Sequence, residues 1–573
     1  MSAVMPTLAP RPVFSALRLP AERGLLGLLL GLALLALLIS IALPVAALLG
    51  MSFFDAKGQF TGLANHWAYA ASPNMGRSLF NSLWLSLLSA AICVGLAYGY
   101  AFALTQTCMP GRRFFRAVAL VPVLAPSLLM AISLIYLFGN QGLLKSWLMG
   151  LPGVSSIYGP FGIVTGSVLW TFPHALLILL TALGTSDGRL YEAAASLGAS
   201  RWRVFRSVTL PASRYGLVIS FVVVFVLVIT DFGVPKVIGG NTQVLATDIY
   251  KQVIGQQKLQ MGAVVALILL LPALLAFWVE QRLRAAQGAS LSVRAVPYQP
   301  QPYPLLDRAM LLYCSLIAAL LLAVLGVAVF ASLATFWPYK LAPSLINYQF
   351  DLMDGGGWAS YSNSLKLALG TALLGTALSF LTAYLVEKPR QMAAVRKLLN
   401  AVASLPMAVP GLALGLGYIL FFNAAWNPLH FLYGSLGLLM ICTVAHFFSV
   451  AHITQLSALR QLDREYELVA ESLGVPFWKT LLRVHLPVSL PTLVQVAGYF
   501  FVNALTTVSA VVFLYSPETS LASVAVLAMD DAGDIGPAAA MAVLIFATAA
   551  VGRLVLALLE RLLINKTQRW RAR

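Results

Sequence analysis

Residues 191–211 read YEAAASLGASRWRVFRSVTLP and lie between two long apolar runs, 161–184 and 212–236. The stretch is amphipathic, carries three arginines and ends at a proline where the next apolar run begins. A second copy, ELVAESLGVPFWKTLLRVHLP, occupies residues 467–487. A polar helix–turn–helix that recurs between apolar runs indicates a docking element, and the rest of the chain is the frame that carries two of them.

A shift of 276 positions brings the two copies into one register. The residues that then coincide include Ala194 with Ala470, Ser196 with Ser472, Leu197 with Leu473, Gly198 with Gly474, Trp202 with Trp478, Leu210 with Leu486 and Pro211 with Pro487. Alanine is the best helix former, so Ala193 and its alanine neighbours favour a short helix. Gly198 and Gly474 can supply the left-handed turn that ends such a helix.

A tryptophan pair and a proline pair also coincide in this register, and each predicts a structural role. Trp202 and Trp478 are large apolar side chains of the kind that anchor protein interfaces. Pro211 and Pro487 predict the first turn of the next membrane helix, where a missing N–H costs nothing. An amphipathic helix that lies on the lipid surface is the alternative, but two copies in one register favour docking to a partner.

The composition predicts an integral membrane protein. The 573 residues are 60% hydrophobic and only 10% charged, with a mean hydropathy of +0.85, whereas soluble domains carry about 25% charged residues. In a membrane protein the net charge of +17 indicates basic cytoplasmic loops, so we expect no nucleic-acid partner. The four cysteines show neither metal-ligand spacing nor a disulfide framework.

Apolar runs predict an all-α, polytopic protein of about 12 membrane helices in two homologous six-helix halves, since each span needs about 20 residues. The first six predicted spans are 24–50, 78–107, 115–139, 160–184, 211–236 and 259–282. The second six are 309–337, 361–387, 398–423, 431–456, 487–515 and 536–563. The predicted organisation is an irregular cytoplasmic tail at 1–23, one half at 24–282, a Pro- and Gln-rich linker at 283–308, the other half at 309–563 and a tail at 564–573.

The repeat reaches beyond the two loops. Asn81-Ser-Leu recurs at Asn363, and Pro122 and Pro126 recur as Pro406 and Pro410. Parallel repeats of this kind place a substrate path between the halves.

The distribution of basic residues predicts the orientation. With the N-terminus inside, the cytoplasmic segments hold 29 of the 37 Lys and Arg residues, seven fall on the opposite side, and Lys366 lies within a span. Because cytoplasmic loops carry the excess of Lys and Arg, both termini and both repeated loops are expected in the cytoplasm.

The first copy resembles the coupling-helix signature of permease subunits of ABC-type importers, E-A-A-x3-G-x9-hydrophobic-x-L-P. The residues that carry the resemblance in this copy are Glu192, Ala193, Ala194, Gly198, Val208, Leu210 and Pro211. The second copy matches at Gly474, Val484, Leu486 and Pro487. It departs at Leu468 and Val469, which replace the glutamate and the first alanine, although Glu467 and Glu471 lie nearby.

The resemblance implies a bacterial inner-membrane permease that is not itself an enzyme. Its implied partners are a dimer of ABC ATPase subunits, one under each loop, and a periplasmic substrate-binding protein. The chain has no G-x-x-x-x-G-K-[S/T] phosphate loop, so ATP and Mg²⁺ would be bound by the ATPase partner and this chain needs no cofactor. The predicted coupling residues are Glu192, Ala193, Ala194, Gly198, Trp202 and Pro211, with Ala470, Glu471, Gly474, Trp478 and Pro487.

Polar residues at the far ends of two spans are the candidates for the substrate path. Asp231 is followed by Gly and Pro, which predict a broken helix of the kind that lines ligand sites in importers; a capped helix end is the alternative. Thr506 and Ser509 hold the corresponding region of the second half. The histidines at or near spans (His174, His446 and His452) lack metal-ligand spacing and are expected to be packing residues.

The transported substrate is predicted from resemblance alone. Residues 231–260 are similar to permeases for 2-aminoethylphosphonate, which is the predicted substrate; ferric iron, polyamine and thiamine are the alternatives. An ion-coupled secondary transporter would need ion-coupling carboxylates deep in the spans, and these are scarce. A membrane enzyme would need a clustered nucleophile and base or metal ligands, and none appears at usable spacing.

Overall fold

The computed structural model describes residues 14–55, 57–150, 152–290, 296 and 298–567. The helices of the first half are α1 (Phe14–Leu37), α2 (Leu43–Met51), α3 (Ala64–Ala70), α4 (Pro73–Gln106), α5 (Arg112–Leu120), α6 (Ser127–Phe138), α7 (Lys145–Met149), α8 (Pro160–Gly184), α9 (Gly188–Ser196), α10 (Arg201–Val204), α11 (Leu210–Thr230), α12 (Gly233–Ile238), α13 (Leu245–Tyr250) and α14 (Leu259–Ser290). Those of the second half are α15 (Pro304–Leu333), α16 (Gly357–Glu387), α17 (Ala393–Ser404), α18 (Gly411–Phe422), α19 (Leu436–Arg460), α20 (Glu465–Ser472), α21 (Phe477–Thr480), α22 (Leu486–Thr506), α23 (Ala522–Ala532) and α24 (Ile535–Thr567). The described strands, β1 (Ala334–Phe336) and β2 (Lys340–Pro343), form one short antiparallel hairpin.

The all-α, polytopic fold is confirmed. Within the described residues, ten helices are long and apolar enough to cross a membrane, and the number is twelve if each of two bent helix pairs counts as one span. Helix α1 begins at Phe14, so the expected irregular tail is wrong for residues 14–23, while residues 1–13 lie outside the described part. Helix α14 likewise continues through residues 283–290 of the predicted linker.

Two of the predicted spans are not straight helices. The predicted span 115–139 bends by 102° between α5 and α6, and the span 398–423 bends by 115° between α17 and α18. Each break follows a 3₁₀ turn that begins with the residue before a proline, at Val121–Leu124 and Leu405–Ala408. Proline has no N–H to donate and crowds the carbonyl four residues before it, so two prolines within five residues end the helix rather than kink it.

The first helix of each half packs on the other half. Helices α1 and α2 contact α16, α17 and α18, whereas α15 contacts α4, α5 and α6. A tyrosine hydrogen bond stabilises each of these contacts between the halves. The Tyr418 hydroxyl donates to the Ser40 carbonyl at 2.6 Å, and the Tyr313 hydroxyl donates to the Leu96 carbonyl at 2.8 Å. A Cβ on Gly417 would lie 2.5 Å from the Pro44 carbonyl oxygen, so only glycine permits this close approach.

The repeated Asn-Ser pair fastens the far end of each half. The Asn81 amide donates to the Gln243 carbonyl at 2.9 Å, and the Ser82 hydroxyl accepts from the Leu245 N–H at the start of α13. In the second half the Asn363 amide donates to the carbonyls of Glu518 and Ser520, and the Ser364 hydroxyl accepts from the Ala522 N–H at the start of α23. The same two side chains therefore hold the connection between the last two long helices of both halves.

Candidate functional site: two repeated helical loops

The two loops share one hydrogen-bonding pattern at their glycine turns. In the first loop the Ala199 N–H donates to the Ala194 carbonyl at 3.0 Å and the Gly198 N–H donates to the Ala195 carbonyl at 2.9 Å. In the second loop Val475 and Gly474 donate to Ala470 and Glu471 in the same way. This is the Schellman motif, which needs a left-handed residue after the helix. The predicted left-handed turn is confirmed, since φ is +67° at Gly198 and +65° at Gly474.

An aspartate begins each of the short helices. The Asp187 carboxylate accepts from the Arg189 N–H at 3.1 Å, and the Asp463 carboxylate accepts from the Glu465 N–H at 3.1 Å. The two aspartates are also 276 positions apart. Sequence reasoning missed this pair, although a repeated Asp just before a short helix is a recognisable capping signal.

Each loop is joined to a membrane helix without a break. A π-helical turn at Phe205–Thr209 connects α10 to α11, and another at Leu481–His485 connects α21 to α22. The expectation that Pro211 begins a new helix is therefore wrong, and the same correction applies to Pro487. A proline inside a helix leaves a carbonyl without its N–H partner. Here the residue before the proline forms a wider, π-helical bond, from the Leu210 N–H to the carbonyl of Phe205, five residues back. This wider turn lets the helix continue past Pro211.

The tip of each loop exposes apolar side chains. Leu197 is 85% exposed and Leu473 is 73% exposed, directly before the turn glycines. The predicted anchors Trp202 and Trp478 are 66% and 39% exposed. Leu197 and Leu473 were not among the predicted coupling residues, although a leucine repeated in the last turn of a polar helix was the available signal.

The other predicted coupling residues lie on the same short helices. Glu192 and Ala193 are exposed, Ala194 is half-buried, and the Glu192 carbonyl accepts from the Ser196 hydroxyl. In the second loop Ala470 is half-buried and Glu471 is exposed. These residues form two equivalent surfaces at one end of the molecule, and their contact with a partner stays a prediction.

The predicted substrate-path residues do not form one cluster. The Asp231 carboxylate accepts from the N–H groups of Gly233 and Val234 and from the Ser127 hydroxyl, which is the geometry of a helix cap. Thr506 donates to the Val502 carbonyl of its own helix, where α22 ends, nine residues before the predicted end of the span 487–515. A role for Asp231, Thr506 and Ser509 in the substrate path stays a prediction.

Ser509 packs tightly against a glycine of α18. The first half has an equivalent pair in which the serine and the glycine have changed places. A Cβ on Gly411 would lie 2.5 Å from the Ser509 hydroxyl oxygen, and a Cβ on Gly233 would lie 2.5 Å from the Ser127 hydroxyl oxygen. Each half thus packs one serine against one glycine at the start of the second arm of its bent pair. The space between the two residues of each pair admits only one side chain.

An ion pair joins the halves at the end away from the loops. The Lys236 ammonium lies 2.9 Å from the Asp531 carboxylate, which connects α12 with α23. The same ammonium lies 5.4 Å from the Tyr250 ring, and Tyr250 stacks on Phe513 of the other half. Burial first, and the adjacent Asp531 carboxylate second, raise the pKa of Asp530 to about 6.

Each of the three histidines lies against an aromatic ring, and their assignment as packing residues stays a prediction. His452 bonds to the Asn400 amide oxygen at 3.0 Å, while His174 lies against Trp170 and His446 against Phe447. In the part of the chain that the structure describes, no group of three or more His, Cys, Asp or Glu side chains could hold a metal ion.

Comparisons with known proteins agree with this architecture. The sequence model of the family described as "Binding-protein-dependent transport system inner membrane component" matches residues 109–286 and again residues 375–565. The chain is 27% identical over 548 residues to the ferric transport system permease protein FbpB of Actinobacillus pleuropneumoniae, which covers 93% of this chain and 78% of that protein. It is 29% identical over 454 residues to a putative ferric transport system permease protein of Haemophilus influenzae, which covers 77% of this chain and 71% of the relative.

A third relative carries a different substrate in its name. The thiamine transport system permease protein ThiP of Salmonella typhimurium is 25% identical over 413 residues, which cover 71% of this chain and 74% of that protein. The family match occurs once in each half and spans both repeated loops. The chain therefore belongs to the binding-protein-dependent transport system inner membrane components, as a fused double permease of an ABC-type importer.

Proposed function

We propose that the chain forms the translocation path of an ATP-driven importer and that its two loops receive separate ATPase subunits. One observation carries the proposal: both loops present the same turn and exposed leucine, and each continues as one helix into the membrane, at Arg201–Thr230 and Phe477–Thr506. A 30-residue helix is about 45 Å long, so a displacement of the loop moves the far end of the span. The loops and both termini then lie in the cytoplasm, and a periplasmic binding protein delivers substrate at the opposite end.

Purified alone, the chain is expected to hydrolyse no ATP. The nucleotide and Mg²⁺ would be held by the partner subunits, because this sequence has no phosphate loop. The measurement is phosphate release by the reconstituted chain with and without the ATPase subunits of the same transporter. Hydrolysis by the chain alone, above that of empty liposomes, contradicts the proposal.

Ferric iron is the substrate that we propose. Two relatives that cover most of this chain are ferric transport permeases by name. At the contact between the halves, Lys236 is already neutralised by Asp531, and Asp530 adds a second carboxylate. The Lys236 ammonium is therefore already paired and is not free to bind a phosphonate, which supports the iron proposal.

The substrate is tested by uptake in cells that lack the transporter genes. Cells that regain the full set of transporter genes are expected to accumulate radioactive ferric iron, with no gain in uptake of 2-aminoethylphosphonate or thiamine. The control is the same set of genes with an inactivating change in the phosphate loop of the ATPase subunit. Uptake of 2-aminoethylphosphonate instead would refute the iron proposal and support the substrate predicted from residues 231–260.

A further inference from the structure

The two loops are alike at their tips but are held differently at their base. Tyr191 and Glu467 occupy corresponding positions, 276 residues apart, at the inner face of α9 and α20. Tyr191 is 7% exposed, whereas the Glu467 side chain is 23% exposed. The base of the first loop therefore carries an aromatic side chain and that of the second an ionic one. The two side chains need different kinds of partner.

The first loop is held by the segment that connects the two halves. The Gly188 N–H donates to the Val296 carbonyl at 2.8 Å, and the Val296 N–H donates to the Asp187 carboxylate at 3.4 Å. Tyr298 then stacks on Tyr191 with ring centroids 4.0 Å apart. These bonds add a short stretch of the connecting segment to the base of α9.

Two further contacts extend this attachment along the segment. The Arg201 guanidinium lies 3.7 Å from the centre of the Tyr303 ring, which ties α10 to the end of the segment. The Asp307 carboxylate accepts from the N–H groups of Tyr303 and Cys108, both at 2.9 Å. The segment is thus fixed on one side to the loop and on the other to the start of α15.

The second loop has an ionic base instead. The Lys388 ammonium and the His485 ring nitrogen each lie 2.7 Å from the same Glu467 carboxylate oxygen. The Lys388 side chain is only 8% exposed and His485 is fully buried. Solvent screens such a pair far less than a surface pair, so these contacts can hold the base of α20 as the connecting segment holds the base of α9.

We propose that Val296 and residues 298–303 support the first coupling helix and form what we call its seat, so that the two ATPase docking sites rest on chemically different bases. The first base is a main-chain and aromatic contact with the connecting segment, and the second is the Lys388–Glu467–His485 cluster. The docking part of this proposal rests on the proposed function. Tyr298 acts as a positioning residue, because it touches the coupling helix rather than the partner.

Hydrogen exchange of the purified chain tests the seat without any ATPase subunit. Tyr298→Ala is expected to speed amide exchange in residues 188–196 by about tenfold, the effect of losing one aromatic stack, and to leave residues 465–472 unchanged. Lys388→Met is expected to speed amide exchange in residues 465–472 and to leave residues 188–196 unchanged. Tyr298→Phe is the matched control, because the Tyr298 hydroxyl makes no hydrogen bond within the described residues and phenylalanine keeps the stack. Equal acceleration of both segments, or none in 188–196, overturns the seat.

Crosslinking in the assembled transporter tests the consequence for docking. Ser196→Cys and Ser472→Cys place a thiol at corresponding exposed positions of the two loops. In the Tyr298→Ala background, crosslinking of the ATPase subunit is expected to fall about tenfold at position 196 and to stay unchanged at position 472, with recovery in Tyr298→Phe. An equal fall at both positions refutes the unequal bases. If the chain with intact Tyr298 gives no crosslink at either position, the proposed function itself is refuted. The hydrogen-exchange experiment needs no ATPase subunit, so it still tests whether the connecting segment supports α9.

Discussion

Replacing Gly198 and Gly474 together by valine is expected to abolish ATP-driven uptake while the protein still inserts and folds. Both glycines have a left-handed φ, and no atom lies within 4 Å of a Cβ added at either position. The whole cost of the substitution is therefore conformational, about 1–2 kcal/mol for each residue forced into the left-handed region. For the pair, the population of the correct turn falls roughly 30- to 700-fold.

The measurement is uptake into membrane vesicles, normalised to the amount of permease in the membrane. The matched control is asparagine at both positions, because its short polar side chain tolerates the left-handed conformation and the open space accommodates it. We expect the asparagine variant to keep most of its uptake. If the valine variant transports normally, the turns do not couple the loops to a motor.

The second large effect is expected from Leu197→Asp combined with Leu473→Asp. These leucines are the most exposed apolar side chains of the two loops, so in the free chain they contribute little to the fold. An aspartate in place of a leucine that the ATPase subunit buries loses about 2 kcal/mol of apolar contact, or roughly 30-fold in affinity for each loop. The affinity of the ATPase subunits for the reconstituted chain is the quantity to measure, together with Tm.

The chain offers a matched control for this pair. Leu352 is 76% exposed and lies in the connection between α15 and α16, at the end away from the loops. Leu352→Asp introduces the same charge at the same exposure, and we expect it to leave the affinity for the ATPase unchanged. Unchanged affinity in the double variant would show that the leucine tips are not the docking surface, and a large fall in Tm would show that they stabilise the fold instead.

The features that sequence predicted are those with a local cause. Hydropathy marked the spans, because about 20 apolar residues are needed to cross a bilayer whatever their neighbours are. The turns at Gly198 and Gly474 were predictable for a similar reason, since the Schellman motif is built from hydrogen bonds within six residues. The repeat then required that both loops share one geometry.

Local rules also account for the errors. The preference of proline for the first helical turn predicted that Pro211 and Pro487 begin new helices. In the structure the preceding residues donate to a carbonyl five residues back, and the helix continues. The bent pairs were missed because proline is tolerated in many membrane helices, and composition alone does not distinguish a kink from a break of 102° or 115°.

What the sequence by itself determined is the set of membrane helices, their division into two halves and the conformation of the repeated turns, because apolar length, glycine and short-range hydrogen bonds act within a few residues. Only the tertiary structure decided that each half lends its first helix to the other, and that the connecting segment supports Tyr191 while Lys388 and His485 support Glu467. Those contacts join residues up to several hundred positions apart, so they depend on how whole helices pack and not on the pattern of any one stretch.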